Sequence, residues 1–177
     1  IKSIIAIGGG SSIDTAKILS IGLSNSITHN LKDFLFKKEL IQNVSNIPVV
    51  AIPTTSGSGA EVTPFATVWD QKVNKKYSLS TEFMRPKYAI LDYFLTLNLP
   101  LEITIYSGLD AISHCFESIW NLNATSGSIE IASKALHALL NNLPKLIDTP
   151  SDHNSRKLMQ VNSCLAGLAI SSTKTAL

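Results

Sequence analysis

The chain has 177 residues, 45% of them hydrophobic, enough to bury one ordinary core divided between two small layers. Fifteen basic and thirteen acidic residues leave a net charge of +2, and their scatter argues against a nucleic-acid partner. No apolar run reaches the roughly 18 residues of a membrane span, and IKSIIAIGGG has neither the length nor the ending of a secretory signal.

The first half alternates strand-like and helix-like pieces. Ile4 to Ile7 is a short apolar run, read as a strand buried on both faces. Ile13, Ala16, Leu19 and Leu23 then fall at helical spacing, followed by a polar, loop-rich stretch through Asn46. The run Pro48 to Pro53 is a second buried strand. Thr67 to Asp70 and Lys76 to Ser80 read as strands around a polar turn, and Tyr88 to Asp92 as one more. This mixture implies an α/β layer with a largely parallel sheet and a hairpin.

After Leu99-Pro100 the pattern becomes all-helical. Leu109, Ile112, Phe116 and Ile119 mark one helix face. Ile129, Ala132, Leu136, Leu139 and Leu143 mark a second helix, expected to stop at Pro144. Leu158, Val161, Leu165 and Leu168 mark a third. The expected fold is thus an α/β layer at 1–97 followed by an all-helical domain at 98–177. Cys115 and Cys164 have no CxxC spacing and sit in apolar helices, where buried free thiols are expected. The whole reads as a soluble cytoplasmic protein.

Two turns carry chemistry. Gly8-Gly9-Gly10-Ser11 follows a strand and opens a helix, so its backbone N–H groups can approach an anion. Ser11 or Ser12 can cap that helix and donate to a phosphate oxygen. The segment is neither a GxGxxG fingerprint nor a Walker loop, and a plain tight turn explains it equally well. A second polar turn, TTSGSGAE at 54–61, follows the second buried strand. Ends of parallel strands converge on ligands in open sheets, so two such turns favour one shared phosphate-bearing ligand.

In the helical half, Asp110 and His114 stand four residues apart, one turn along a helix face that Glu117 continues. The pair fits either a solvated polar face or half of a metal site. His29, His137 and His153 have no spacing that joins them to it.

Together, GGGSSIDTAK, PTTSGSGAEVTPFATVWD and GLDAISHCFES resemble, in that order, the iron-containing (group III) alcohol dehydrogenase family. The likeness runs over nearly the whole chain, including ILDYFLTLNLP, and the middle motif is the most specific. It implies an NAD(P)H cofactor, a divalent metal (Fe2+, with Zn2+ the alternative) and a small aldehyde or alcohol substrate. Gly9, Gly10, Ser11 and Asp14 match the family's pyrophosphate loop. Thr54, Thr55 and Ser58 match its second cofactor loop, and Lys76 a lysine near the nicotinamide ribose. Asp110 and His114 match the first two of four metal ligands. No residue stands out as proton donor. The resemblance also implies that 1–97 is a dinucleotide-binding α/β domain and 98–177 an all-helical metal-binding domain, both truncated, in a homo-oligomer, and an internal piece of a longer enzyme whose remaining histidines lie beyond Leu177. Within the family, TPFATVWD, CFESIWN and LAGLAISSTKTAL are similar to reductases of phosphonoacetaldehyde, with Lys174 the cation candidate for the phosphonate; a glycerol-dehydrogenase-like oxidation and an inactive nucleotide-binding fragment are the alternatives.

Overall fold

The computed structural model describes residues 1–24 and 46–174; the loop-rich stretch expected after Leu23, and His29 in it, lie almost wholly outside them. Strand β1 (Ile4–Gly8) pairs in parallel with β2 (Val49–Pro53), from Ile4 opposite Val49 to Gly8 opposite Pro53. The short β5 (Tyr88–Ala89) pairs in parallel with the other edge of β2. The sheet order β1-β2-β5 places β2 at the centre.

Helix α1 (Gly10–Gly22) packs Ile13 and Ala16 onto Ala6, Val49 and Ala51. Ile5 and Ile7, on the opposite face of β1, are 64% and 61% exposed. The expectation of burial on both faces therefore fails for β1. Among the described residues α1 is the helix that packs most extensively on this sheet, and it takes one face. The inner stripe of α1 runs through Ile13, Ala16, Lys17, Ser20 and Ile21, with Leu19 and Leu23 outside. Gly9 is its N-cap and no side chain caps it. The cap assigned to Ser11 or Ser12 is thereby corrected: the helix starts earlier, and both serines lie within its first turn.

Strands β3 (Phe65–Asp70) and β4 (Lys75–Ser80) form the antiparallel hairpin, with Phe65 opposite Ser80 and Asp70 opposite Lys75. Its inner face sets Ala66 and Leu79 against Ile18, Ile21 and Met84. The strand expected through Asp92 ends at Ala89, because Asp92 instead caps a 3-10 turn over Tyr93–Thr96, accepting from the Phe94 N–H at 3.1 Å.

Three helices complete the described fold: α2 (Leu101–Trp120), α3 (Ser126–Asp148) and α4 (His153–Thr173). Thr125 and Ser128 form a reciprocal capping box at the start of α3. Asp152 caps α4 by accepting from the Ser155 N–H at 2.8 Å. Pro144 does not stop α3, which continues to Asp148. An interior proline costs about 3 kcal/mol, but Leu143 and Leu146 on either side are buried in the helical core. Burying each contributes about 1.5–3 kcal/mol, so packing carries the helix through.

The expected stripes on α2 and α4 are rotated. On α2 the buried line is Gly108, Ala111, Ile112 and Cys115, leaving Leu109 and Phe116 exposed. On α4, Val161 and Leu168 face outward while Met159, Ala166, Ala169 and Ile170 are buried. Small residues let the helices approach closely, and a reading that counts only large apolar side chains passes over them. Helix α4 packs on α2 and α3 and also reaches the α/β layer, so it lies between the two halves. Both thiols are buried and free, as expected. Among the described residues no helix is long and apolar enough to cross a membrane.

Candidate functional site

The two polar turns meet at the carboxyl ends of β1 and β2. The Thr54 N–H donates to the Gly8 carbonyl at 3.0 Å, continuing the parallel ladder past the last paired residues. A Cβ on Gly9 would lie 3.4 Å from Thr55 Cγ2, and one on Gly10 only 2.6 Å from Ser58 Oγ. Thr55 and Ser58 therefore sit directly on the glycine turn, and at Gly10 nothing larger than glycine leaves Ser58 in place. The Ser12 N–H donates to the Gly9 carbonyl at 3.1 Å, while the Gly10 and Ser11 N–H groups have no intrahelical acceptor and no side-chain cap, which leaves donors at the helix N-terminus beside these hydroxyls. Ser11 is exposed and Thr54 half-buried.

Asp14 turns away from this seam. Its carboxylate accepts from the Thr67 N–H at 2.9 Å and from Lys17 Nζ at 3.3 Å. Lys17 is fully buried, and its ammonium also donates to Thr63 Oγ1 at 3.0 Å and the Phe65 carbonyl at 2.8 Å, so all three donors are used. Burial raises the Asp14 pKa against the opposing pull of Lys17, and burial lowers that of Lys17 against the pull of Asp14. Glu61, also buried, is raised by desolvation. This cluster ties α1 to β3. Lys76 is exposed on β4 opposite Trp69, on the hairpin face where Thr67 and Ser78 share a 2.9 Å hydrogen bond.

On α2, His114 Nε2 lies 3.6 Å from Asp110 Oδ1. His114 is 18% exposed and Asp110 48%, so the pair opens to the surface on one side. His114 Nδ1 is buried without a hydrogen-bond partner, an orphan that costs free energy unless the ring has another use. One oxygen and one nitrogen donor at this separation fit a single Fe2+ or Zn2+ ion, whose usual partners are of these types. They amount to half of a four-ligand set. Among the described residues no group of three or more His, Cys, Asp or Glu could hold a metal. His137 bonds Asn141 at 3.0 Å, and His153 packs edge-on against Tyr93 and Phe94. Lys174 ends α4 in an exposed position, its carbonyl accepting from Asn121 Nδ2 at 3.0 Å.

The loop 54–61 also bears on the helices. A Cβ on Gly57 would lie 2.7 Å from the Ser107 carbonyl oxygen of α2, three residues before Asp110; one on Gly59 would lie 2.4 Å from Gly167 Cα of α4. Gln160 of α4 donates from Nε2 to the Pro53 carbonyl at 3.1 Å and the Asp92 carbonyl at 3.3 Å. These contacts, and Lys17, were missed from sequence. The available signal is Lys17 set between Ile13 and Ile21, each one turn away on the same helix; Gln160, with Arg156 and Ser163 one turn away, carries none.

The family profile described as iron-containing alcohol dehydrogenase matches residues 1–93, and its companion for the C-terminal part of that family matches 104–177. The chain belongs to the iron-containing alcohol dehydrogenase family. Its N-terminal α/β region and helical C-terminal region are this family's arrangement. Among curated relatives it is 34% identical to the probable alcohol dehydrogenase EutG of Escherichia coli, over 96% of this chain and 42% of that protein. It is 33% identical to the sulfoacetaldehyde reductase of Bilophila wadsworthia, over 98% and 44%. The crystal structure of an iron-containing alcohol dehydrogenase from Thermotoga maritima superposes with a TM-score of 0.86 at 35% identity, covering 98% of this chain and 46% of that one. The sulfoacetaldehyde reductase of Bifidobacterium kashiwanohense, solved in complex with NAD+, superposes with a TM-score of 0.88 at 29% identity, covering 98% and 46%. The chain thus spans less than half the length of the relatives it matches.

Proposed function

We propose that this iron-containing alcohol dehydrogenase chain carries the nucleotide site and half of the metal site of an NAD(P)H-dependent reductase of small aldehydes, also able to run in the alcohol-oxidising direction. The observation that supports it most is the seam at the strand ends, where Thr55 and Ser58 lie on Gly9 and Gly10. Residues 1–97 form the nucleotide-binding unit, and 98–177 the metal-binding one. Gly9, Gly10 and Ser11 present backbone and hydroxyl donors to a pyrophosphate. Thr54, Thr55 and Ser58 close over it, and Lys76 lies toward the ribose of the nicotinamide. Asp14 acts indirectly, holding Lys17 and the Thr67 N–H so that the hairpin stays docked on α1.

Asp110 and His114 hold the divalent ion, Fe2+ in preference to Zn2+. A bound nicotinamide supplies the hydride and the ion supplies Lewis acidity. In the balanced reaction the hydride adds to the carbonyl carbon, the carbonyl electron pair moves to oxygen, and that oxygen takes up a proton. The products are the alcohol and oxidised nicotinamide. The first shell of the metal depends on the Asp110–His114 spacing, which the helix sets.

Two relatives are named for sulfoacetaldehyde, a small aldehyde with a tetrahedral anionic group. This supports a substrate of that shape. The motifs that resemble phosphonoacetaldehyde reductases favour the phosphonate, giving 2-hydroxyethylphosphonate, with Lys174 as the cation that meets it. A cytoplasmic homo-oligomer is part of the same reading.

Two measurements on the enzyme carrying this chain test the proposal. NADH titration and metal analysis of Asp110→Ala and His114→Ala should show metal occupancy lost and nucleotide affinity kept. Retained metal in both variants refutes the ligand assignment. The ratio kcat/KM for phosphonoacetaldehyde, sulfoacetaldehyde and a neutral aldehyde of like size then ranks the substrates, and equal ratios remove the anionic-substrate reading.

A further inference from the structure

We infer that Gln160 is a positioning residue for hydride transfer, setting the distance between the nucleotide loop and the metal-bearing helix. The inference rests on the proposed function for what those two elements hold.

Gln160 is 2% exposed, yet its amide is spent on two backbone carbonyls remote in sequence. Pro53 is the last residue of β2 before the Thr54-Thr55 turn, and Asp92 begins the link to the helical half. One turn earlier on the same helix, buried Arg156 donates from Nη1 to Thr104 Oγ1 of α2 at 2.8 Å and from Nη2 to the Leu99 carbonyl at 3.4 Å. It also holds the Pro150 carbonyl through Nε at 2.8 Å. Two adjacent side chains of α4 thus grip opposite partners: Gln160 the strand that launches the nucleotide loop, Arg156 the helix that carries Asp110 and His114.

The loop has its own attachment to the α/β layer, through the Thr54 N–H to Gly8 and the contacts of Thr55 and Ser58 with Gly9 and Gly10. Losing Gln160 therefore leaves the nucleotide seat assembled and its close approaches at Gly57–Ser107 and Gly59–Gly167 in place, and loosens the end of β2 and the Asp92 link, from which the loop is launched, relative to the helices. A displacement of about 1 Å is enough to cost two orders of magnitude in rate when reacting atoms must be aligned. A residue that merely stabilises the fold would not separate binding from transfer in this way.

The test uses Gln160→Met, which keeps the length and removes both donors, in the metal-loaded enzyme. Metal content and NADH affinity should stay within about twofold. The turnover kcat should fall about ten- to a hundredfold, and the primary isotope effect with C4-deuterated NADH should rise as transfer becomes limiting. With Co2+ as the bound metal, paramagnetic relaxation of the nicotinamide C4 proton reads the separation without turnover, and it should change in the variant. Leu139→Ala, in the helical core, is the control for lost stability alone: Tm falls, while isotope effect and relaxation hold. Unchanged kcat, isotope effect and relaxation in Gln160→Met overturn the inference. If that variant does not fold, Gln160→Asn is read by the same criteria. Failure of both to fold makes Gln160 a folding requirement and overturns it too. A parent enzyme that binds no NADH or no metal overturns the proposed function instead, and with it the reason for a positioning residue.

Discussion

Gly59 and Gly167 meet backbone to backbone: a Cβ built on either would fall 2.4 or 2.6 Å from the other's Cα. No side chain fits between the polar loop and α4, so the contact is as short as two chains allow. Gly59 also has φ +62°, a conformation that side chains resist.

Gly167→Ala places its methyl against Gly59 and Val62. Alanine gains about 0.8–1 kcal/mol of helix propensity, but overpacking costs about 1–3 kcal/mol, more at so short a distance from backbone. The clash wins, and a net loss of about 1–2 kcal/mol is expected in urea unfolding. Gly127, near the start of α3, has nothing closer than 3.9 Å to a new Cβ. Gly127→Ala should therefore gain stability under the same conditions. Equal effects at the two sites would contradict the packing.

At the nucleotide seam, Gly10→Val drives its branched carbon into Ser58 Oγ and pushes the second turn off the first. NADH affinity should fall at least about tenfold, some 1.4 kcal/mol, in fluorescence titration. An unchanged dissociation constant would move the pyrophosphate elsewhere.

Acidity should report the buried cluster. Burial raises Asp14 and Glu61 above their ordinary 3.8 and 4.5. As pH climbs from these values through the raised ones, the folded state holds protons that the unfolded chain has released, so stability from these two groups falls. Lys17, lowered by burial, acts with the opposite slope on the alkaline side, below 10.5. Asp152 is lowered by its bonds to Ser155 and contributes stability that is lost on acidification, so the total curve mixes signs. The difference between Glu61→Gln and wild type isolates one group. In urea midpoints from about pH 4 to about pH 7, the variant should gain on wild type as pH rises. A flat difference would mean that Glu61 is not titrating in a buried site.

Both cysteines should be silent toward thiol reagents. Burial pushes Cys115 and Cys164 up to about 12, which leaves negligible thiolate at neutral pH. A disulfide reagent should react with neither in the native protein and with both in urea. Fast labelling of the folded protein would show a thiol that the structure places inside as accessible.

Much of the framework was legible because local chemistry and fold agree. Ile4 to Ile7 and Pro48 to Pro53 read as strands from short apolar runs, and the hairpin from two strand-like pieces around a polar turn. The α/β-then-helical order followed from where strand signals cease. The turns at Gly9 and Thr54 could be named as converging, since both leave the same ends of parallel strands. What sequence could not show is depth. Of the apolar stripes expected on α2 and α4, Ile112, Ile119 and Leu165 pack on the core, but Leu109, Phe116, Val161 and Leu168 face outward, and the close-packed sides belong to Gly108, Ala111, Ala166 and Ala169. Pro144 looked like a stop because the leucines that hold it in helix act through tertiary contacts. Gln160, Lys17 and Arg156 stayed hidden for a shared reason: each serves backbone carbonyls far away in the chain, and a carbonyl leaves no mark on the identity of the residue that carries it.

Gln160 and the Pro53 carbonyl are separated by 107 positions. A ribosome adding about 5–20 residues per second needs roughly 5–20 s to travel that far. Through that interval the emerging strands and glycine turn exist without the helix that clamps them, so the polar loop reaches the cell unlatched. Anything that shields nascent chains meets it in this form, and α4 is the helix whose emergence locks it.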